Sequence, residues 1–204
     1  MSEVQDRRAV IVGVAECDLG VTNKSILELQ TQAVTRALAD AGLGLHDVDG
    51  LACTSVARFS TTQLADYLGI EPVWSDSTFA GGSAFEMFVA RAAQAIEAGQ
   101  AETIVISFAS NQRSAKSRSM GNIYEPHTPE AQFEGPYGPL YPLSHYAMAA
   151  QRYLHETGAT REDLAEVAVA ARQWALLNPK AFRYEAGPLS VEDVVGGDLT
   201  SSPL

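Results

Sequence analysis

The sequence Ser77-Thr-Phe-Ala-Gly-Gly-Ser-Ala-Phe-Glu86 joins a short extended segment, Val73–Asp76, to a helical pattern that ends at Gly99. Apolar residues follow the two glycines at helical spacing: Phe85, Phe88, Val89, Ala92, Ala93 and Ile96. Two glycines at a strand-to-helix turn permit unusual backbone angles and the close approach of another group. Because the first amides of a helix favour an anion or a developing oxyanion, the turn predicts either a functional site or tight helix–sheet packing.

Short β-branched runs alternate with helical patterns on both sides of this turn. Ala9–Val14 predicts a strand that is buried on both faces, and Val48–Val56 and Glu102–Ser107 predict two more. Periodic apolar residues predict helices over Ile26–Ala41 and Thr61–Leu68. The alternation predicts an α/β fold in which helices cover both faces of a mostly parallel sheet.

The pattern changes after residue 110. Residues 111–142 are polar and rich in Gly, Pro and Tyr, without a clean period. Helical patterns return at about 143–155 and 160–177, and Ser190 is a suitable N-cap for one more short turn. We therefore predict an N-terminal α/β domain over residues 1–110 and a loop domain with helices over 111–204.

Composition narrows the class of protein. The chain has 204 residues and a formal net charge of −11, which argues against a nucleic-acid surface because phosphate binding needs clustered Lys and Arg. Two cysteines, Cys17 and Cys53, are too few for a disulfide scaffold and are typical of buried apolar positions in a reducing cytoplasm. No apolar run has the length of a membrane span, so we expect a cytoplasmic protein without a membrane partner.

Motifs for common chemistries are missing from the sequence. There is no Cys-x-x-Cys pair, no His-Glu-x-x-His and no Walker loop, so a metal site and nucleotide phosphoryl transfer have no support. Aromatic and imidazole side chains instead gather in and beside the irregular stretch: Tyr124, His127, Tyr137, Tyr141, His145 and Tyr146. Phenols can protonate a developing alkoxide or hold a substrate carbonyl, and they can equally line an apolar pocket or a subunit interface.

Six segments together resemble the N-terminal portion of the thiolase superfamily, specifically the sterol-carrier or lipid-transfer-type thiolases. The resemblance spans nearly the whole chain. Its motifs are Ala9-Val-Ile-Val-Gly-Val-Ala-Glu16, Asp49-Gly-Leu51, Gly81-Gly-Ser-Ala-Phe-Glu86, Ala95-Ile-Glu-Ala-Gly-Gln-Ala-Glu102, Tyr146-Ala-Met-Ala-Ala-Gln-Arg-Tyr153 and Ser201-Ser-Pro-Leu204.

The resemblance implies a thiolase-like mixed, mostly parallel sheet with a mainly helical loop domain inserted into it. It also implies a homodimer, acyl-coenzyme A substrates and formation or cleavage of carbon–carbon bonds, with coenzyme A as part of the substrate and no tightly bound cofactor. The family is about twice as long, and its later half carries the catalytic histidine and the acid/base residues. We therefore expect this chain to be a fragment, or to work with a second polypeptide.

The resemblance places the family's nucleophilic cysteine at Gly82, with Ser83 beside it. A serine acts as a nucleophile only with a base beside it, and the neighbouring sequence supplies none. Relatives without the cysteine include aldolases that cleave the side chain of steroid coenzyme A thioesters together with a small partner bearing an OB-like domain. We therefore predict a retro-aldol lyase of steroid degradation, in which Gly82 and Ser83 are donors near the thioester and the six aromatic and imidazole residues line the substrate pocket.

Two alternatives remain open at the level of sequence. One is an acetyl-coenzyme A acetyltransferase of lipid metabolism that uses Ser83 or a cysteine from the missing half. The other is a scaffold without catalytic activity that binds acyl-coenzyme A or lipid and organises a partner, since loss of the cysteine is equally compatible with that role.

Overall fold

The computed structural model describes residues 8–54, 58–116, 127–139, 142–199 and 201. The chain divides into two compact units, Met1–Lys116 and Ser117–Leu204. The first unit contains a parallel sheet with helices, and the second is mainly helical. The predicted domain boundary at residue 110 stays a prediction.

The sheet of the first unit has three described strands. Strand β1 (Gly50–Thr54) lies between β2 (Trp74–Thr78) and β3 (Ile104–Ser107), and both pairings are parallel. The Asp49 carboxylate fixes the amino end of β1 because it accepts hydrogen bonds from the Glu102 and Thr103 amides. The parallel α/β class predicted from the alternation of patterns is confirmed.

Helices cover both faces of this sheet. On one face, Leu51 and Cys53 of β1 pack against α1 (Ile26–Ala41) and α2 (Ser60–Leu68). On the other face, Ala52 packs against α3 (Ala84–Glu97). Successive residues of β1 thus enter opposite cores, which is the reason for its unbroken run of small and apolar side chains.

The helix limits follow from local signals in the sequence. Helix α1 begins in a capping box in which the Ser25 hydroxyl accepts from the Glu28 amide and the Glu28 carboxylate accepts from the Ser25 amide. These hydrogen bonds lower the pKa of the Glu28 carboxyl. The helix ends at Gly42, whose φ of 71° is left-handed. Shorter elements complete the unit: a 3-10 turn at Leu45–Asp47, a second at Gly81–Ser83 and helix α4 at Gln112–Ala115.

The prediction of a strand at Ala9–Val14 is wrong for this structure. The segment is neither strand nor helix, and no backbone–backbone hydrogen bond holds residues 9–13 within the described part of the chain. Four of its aliphatic side chains are more than half exposed: Val10, Ile11, Val12 and Val14. A strand needs a neighbouring strand for its backbone groups, and none of the three described strands is hydrogen-bonded to this segment.

Side chains of α1, together with Lys24 just before it, hold residues 14–18 in place instead. The Val14 amide donates to Asp40, and Arg36 donates to the Glu16 carbonyl at 2.9 Å. The Asp18 carboxylate accepts from Lys24, from Arg36 at 2.7 Å and from Gln32 at 3.0 Å. These three donors, Lys24 first, hold the pKa of Asp18 well below its usual range. The contacts that hold this segment are therefore polar, and they leave its aliphatic side chains exposed.

The second unit contains three described α-helices: α5 (Leu143–Thr157), α6 (Arg161–Ala175) and α7 (Val191–Val195). Capping boxes at Thr160 and Ser190 start α6 and α7, and the one at Ser190 agrees with the predicted cap. A π-turn (Glu130–Glu134) and a 3-10 turn (Gly135–Tyr137) lie in the stretch predicted to lack a regular period. The mainly helical character predicted for this region is confirmed.

Replacement of Gly13 by Ala tests how the N-terminal segment is held. An added Cβ would lie 2.2 Å from the Ala37 carbonyl oxygen and 3.0 Å from the Ala41 Cβ. We expect Gly13→Ala to lower the free energy of unfolding by about 1–3 kcal/mol, measured by urea denaturation. The matched control is Gly82→Ala, which meets no atom within 4 Å and should change stability by less than about 0.5 kcal/mol. Equal effects of the two variants would contradict the packing of residue 13 on α1.

Candidate functional site

The glycine turn follows the carboxyl end of β2, where ligands commonly bind in parallel α/β sheets. Strand β2 ends at Thr78, the 3-10 turn covers Gly81–Ser83, and α3 starts at Ala84. Ala84 and Phe88 are fully buried and fix the first turns of α3 on the sheet. The turn itself is exposed. A rigid helix therefore presents its N-terminus to the surface at this end of the sheet.

The two glycines of the turn differ in the reason for their presence. Gly81 has a φ of 63°, in the left-handed region that favours glycine. Gly82 has no such backbone requirement, and a Cβ at this position would meet no atom of the described residues within 4 Å. Neither strain nor crowding therefore excludes a side chain at position 82. The free volume lies at the helix N-terminus, where the resemblance places the family's cysteine.

Ser83 has the exposure that a substrate contact needs but lacks the surroundings of a nucleophile. It precedes α3 with helical backbone angles (φ −72°, ψ −8°), and its side chain does not cap the helix. Among the described residues, no imidazole or carboxylate is hydrogen-bonded to its hydroxyl. The Ala84 amide donates to the Gly81 carbonyl, which closes the 3-10 turn. The structure thus leaves the hydroxyl available as a donor and provides no described base to activate it.

Thr54 is a polar residue at this end of the sheet that sequence reasoning missed. It is the last residue of β1, is 6% exposed and pairs in register with Thr78. Side chains alternate along a strand, so Thr54 lies on the same face as Ala52, the face covered by α3. Its hydroxyl is buried, and no described residue is a hydrogen-bond partner for it. In the sequence, the only indication of Thr54 as a site residue was its place as a polar residue at the end of an apolar strand.

Neither of the two cysteines lies at position 82, where the resemblance places the family's catalytic cysteine. Cys53 is fully buried in the core beneath α1 and α2, and burial raises the pKa of its thiol to about 11. Cys17 is half-buried in the segment anchored on α1. The expectation that both are buried apolar residues is confirmed for Cys53, while Cys17 is only partly covered.

The predicted substrate-binding residues belong to the second unit. Tyr124 and Tyr141 lie outside the described residues. Tyr137 and Tyr146 are 88% and 70% exposed, so their rings are not part of a packed core. His127 is exposed and has a φ of 75°, which is rare for a residue other than glycine.

Within that group the structure pairs His145 with a residue that sequence reasoning missed. The Nε2 atom of His145 lies 2.6 Å from Oε2 of Glu134, and both side chains are partly exposed. The contact joins the π-turn to the first turn of α5. The two residues are eleven positions apart in the sequence, so neither helical nor strand spacing predicted that they would meet. A carboxylate at this distance fixes the orientation of the imidazole ring.

Of grooves, metal-ligand clusters and membrane-spanning helices, the described part of the chain contains a groove. An open groove of about 450 Å³ lies between β2 and the later turns of α3, away from the glycine turn, and is crossed by the ion pair of Arg91 with Asp76 at 2.9 Å. The described residues contain no group of three or more His, Cys, Asp or Glu side chains that could hold a metal ion. No helix among them is long and apolar enough to cross a membrane.

The chain belongs to the thiolase family. Residues 9–201 match the family described as "Thiolase, N-terminal domain". The match includes both the sheet unit and the helical unit, and it begins at the segment whose predicted strand is absent from the structure. The family membership expected from the six sequence motifs is confirmed.

Known relatives within this family point to a particular branch. The chain is 35% identical over 206 residues to the 17-hydroxy-3-oxo-4-pregnene-20-carboxyl-CoA lyase of Mycobacterium tuberculosis, covering 97% of the chain and 53% of that protein. It is 36% identical over 204 residues to the steroid side-chain-cleaving aldolase of Thermomonospora curvata, covering 96% of the chain and 52% of that protein. The chain thus spans about half the length of the curated relatives it matches.

A solved structure shows similarity to the same branch of the family. The Ltp2–ChsH2(DUF35) aldolase superposes with a TM-score of 0.82 at 35% identity, over 97% of this chain and 50% of that chain. The fold is therefore that of the first half of a thiolase-type aldolase. The predicted resemblance to the steroid aldolase branch is confirmed, and the functional roles of Gly82, Ser83 and the second-unit residues stay predictions.

The reactivity of the two cysteines follows from their burial. A thiol pKa of about 11 leaves about one Cys53 thiol in a thousand ionised at pH 8, and the core also excludes reagents. We expect maleimide at pH 8 to label only Cys17 in the folded protein and both cysteines in urea, as identified by peptide mass spectrometry. Cys17→Ser is the control and should remain unlabelled until it unfolds. Rapid labelling of Cys53 in the folded protein would contradict its position in the core.

Restoring a cysteine at the family position tests the free volume at Gly82. We expect Cys17→Ser/Gly82→Cys to fold with stability close to that of Cys17→Ser, because a Cβ meets no atom within 4 Å. A helix N-terminus lowers a thiol pKa, so iodoacetamide at pH 7 should alkylate position 82 at least about tenfold faster than it alkylates Cys17 in the unmodified chain. A loss of stability above about 1 kcal/mol, or an unreactive thiol, would show that this space is closed.

Proposed function

We propose that this chain is the N-terminal portion of a retro-aldol lyase that cleaves a β-hydroxyacyl-coenzyme A, such as a steroid side-chain thioester. The observation that carries the proposal is the open position at Gly82, just before α3, where the resemblance places the family's nucleophile. The two aldolase relatives at 35% and 36% identity support the same reaction. Because the chain spans about half of each relative, the proposal concerns the complete enzyme.

The reaction needs no covalent intermediate. A base removes the proton of the β-hydroxyl, the bond between the α and β carbons breaks, and the β carbon becomes a ketone. The electron pair passes into the thioester as an enolate, whose α carbon then takes up a proton to give a shortened acyl-coenzyme A. The negative charge develops on the thioester oxygen, and a helix N-terminus with its first amides stabilises such a charge.

The residues of this chain would bind and orient the substrate. The thioester would occupy the space beside Gly82, with the Ser83 hydroxyl and the turn amides as donors. Tyr124, His127, Tyr137, Tyr141, His145 and Tyr146 would line the substrate pocket, with Glu134 orienting His145. The base would come from the portion of the enzyme that this chain does not span.

The proposal includes further properties of the complete enzyme. It would work as a homodimer with a small OB-domain partner, and the solved Ltp2–ChsH2(DUF35) aldolase, which pairs two components, supports the presence of a partner. Coenzyme A would enter as part of the substrate, with no other tightly bound cofactor. The two free cysteines favour a cytoplasmic location.

The test uses the protein isolated from its own source with every polypeptide that accompanies it. Incubated with a steroid β-hydroxyacyl-coenzyme A, it should release a ketone and a shortened acyl-coenzyme A in equal amounts, as measured by mass spectrometry. Cleavage that requires free coenzyme A and a 3-ketoacyl thioester would instead identify an acetyltransferase. Tight thioester binding without turnover would identify a scaffold.

Ser83→Ala separates a hydrogen-bond donor from a nucleophile. If Ser83 only donates to the thioester, its loss should lower kcat/KM by about tenfold or less, since a neutral hydrogen bond contributes about 1 kcal/mol. Loss of a covalent nucleophile would lower kcat about 10⁶-fold. Intact-mass analysis during turnover should show no acyl adduct on the unmodified chain. An adduct at Ser83 together with the larger loss would overturn the proposal.

A further inference from the structure

Two hydroxyl groups are buried at the carboxyl end of the sheet, and no described residue is a hydrogen-bond partner for either. Thr54 ends β1 and is 6% exposed, and Ser107 ends β3 and is 4% exposed. A buried hydroxyl without a partner costs folding free energy, so native proteins contain few of them. A ligand that supplies the missing partner satisfies such a group.

The two hydroxyls lie on opposite faces of the sheet. Residues paired in register on parallel strands share a face, and Ser107 pairs with Cys53, whose side chain enters the core beneath α1 and α2. Thr54 comes two residues after Ala52 and therefore lies on the face covered by α3. Thr54, and not Ser107, thus shares its face with the helix that follows the glycine turn.

The Thr54 side chain is directed towards the N-terminus of α3. This helix connects β2 to β3, which are both parallel to β1, so it starts at the carboxyl end of the sheet and runs back towards the amino end. Its first residue, Ala84, packs with Ala52, and Thr54 is one step nearer to the carboxyl end on the same face. The turn Gly81–Ser83 precedes Ala84 and therefore lies on the side of Thr54.

The turn brings further hydrogen-bond donors to this place. Backbone amides at a helix N-terminus lack partners within the helix and carry a partial positive charge. Gly81 and Gly82 have no side chain, and a Cβ at Gly82 would meet no atom of the described residues within 4 Å. Because a hydroxyl can donate as well as accept, one acceptor oxygen can pair with the amides and with Thr54 together. The arrangement therefore favours a ligand that presents a carbonyl oxygen.

We infer that the Thr54 hydroxyl donates a hydrogen bond to the thioester carbonyl oxygen of the acyl-coenzyme A substrate. The inference rests on the proposed function for the place of the thioester beside Gly82, and it adds a residue of β1 to that site. The hydroxyl gave up its contact with water when the chain folded, so the substrate oxygen meets a donor that is already desolvated and fixed. A donor held in this way stabilises the negative charge that develops on the oxygen.

The experiment compares two ligands that differ in this oxygen: acetyl-coenzyme A, and S-ethyl-coenzyme A, a thioether with a methylene group in place of the carbonyl. Their binding to the complete enzyme, with every polypeptide that accompanies this chain, is measured by isothermal titration calorimetry. The unmodified enzyme should bind the thioester more tightly. Thr54→Val removes the hydroxyl and keeps the shape of the side chain, so it should lower this preference about fivefold. An unchanged preference in Thr54→Val, or no preference in the unmodified enzyme, would overturn the inference.

Two further variants are matched controls. Thr54→Ser keeps the hydroxyl and should keep the preference to within about twofold. Ser107→Ala removes the other buried hydroxyl and should leave the preference unchanged, because Ser107 lies on the face covered by α1 and α2. Thr54→Val should not lower the melting temperature, since it removes an unpaired polar group from the interior. A decrease of more than about 2 °C would show that the hydroxyl is already paired in the free enzyme and would overturn the inference.

Turnover distinguishes a failure of this inference from a failure of the proposed reaction. With a steroid β-hydroxyacyl-coenzyme A, Thr54→Val should lower kcat by about 10- to 100-fold with little change in KM, because the hydrogen bond strengthens as the enolate charge develops. An enzyme that cleaves no such thioester, but loses its ligand preference in Thr54→Val, would overturn the lyase and support the Thr54 contact. Undiminished cleavage by Thr54→Val, with the preference retained, would overturn the contact and support the lyase.

Discussion

All five residues of β1 are buried, because helices cover both faces of the strand and parallel neighbours cover both edges. Leu51 and Cys53 enter the core beneath α1 and α2, and Ala52 enters the core beneath α3. The small Ala52 side chain lets Ala84 and Phe88 approach the sheet, which fixes the start of α3 and hence the glycine turn. The position of the candidate site thus depends on the packing of this one strand.

The glycine turn combines a fixed backbone with a missing side chain. Gly81 is required by its left-handed conformation, whereas Gly82 is not required by conformation or by packing. The resemblance places the nucleophile of thiolases at position 82, and no described residue fills the space beside it. A helix N-terminus stabilises a developing enolate as well as a tetrahedral oxyanion, so the turn is compatible with the proposed retro-aldol reaction without a thiol.

Both units leave apolar surface uncovered, and the distribution of that surface is informative. In the first unit it includes the aliphatic side chains of residues 10, 11, 12 and 14, and also Phe59, Val73 and Phe79. In the second unit it consists of large side chains on α5 and α6, including Tyr146, Tyr153, Val167 and Trp174.

The sequence by itself determined the local elements, the fold class and the family. The Ser25 and Thr160 caps, the glycine ends of helices and the apolar periods are short-range signals, so the limits of α1 and α6 were predicted closely. Only the tertiary structure decided that Ala9–Val14 is not a strand here, since strand formation depends on a neighbour and not on propensity. It alone revealed the Glu134–His145 pair, the buried Thr54 hydroxyl and the free space at Gly82, because contacts between residues distant in sequence leave no periodic pattern.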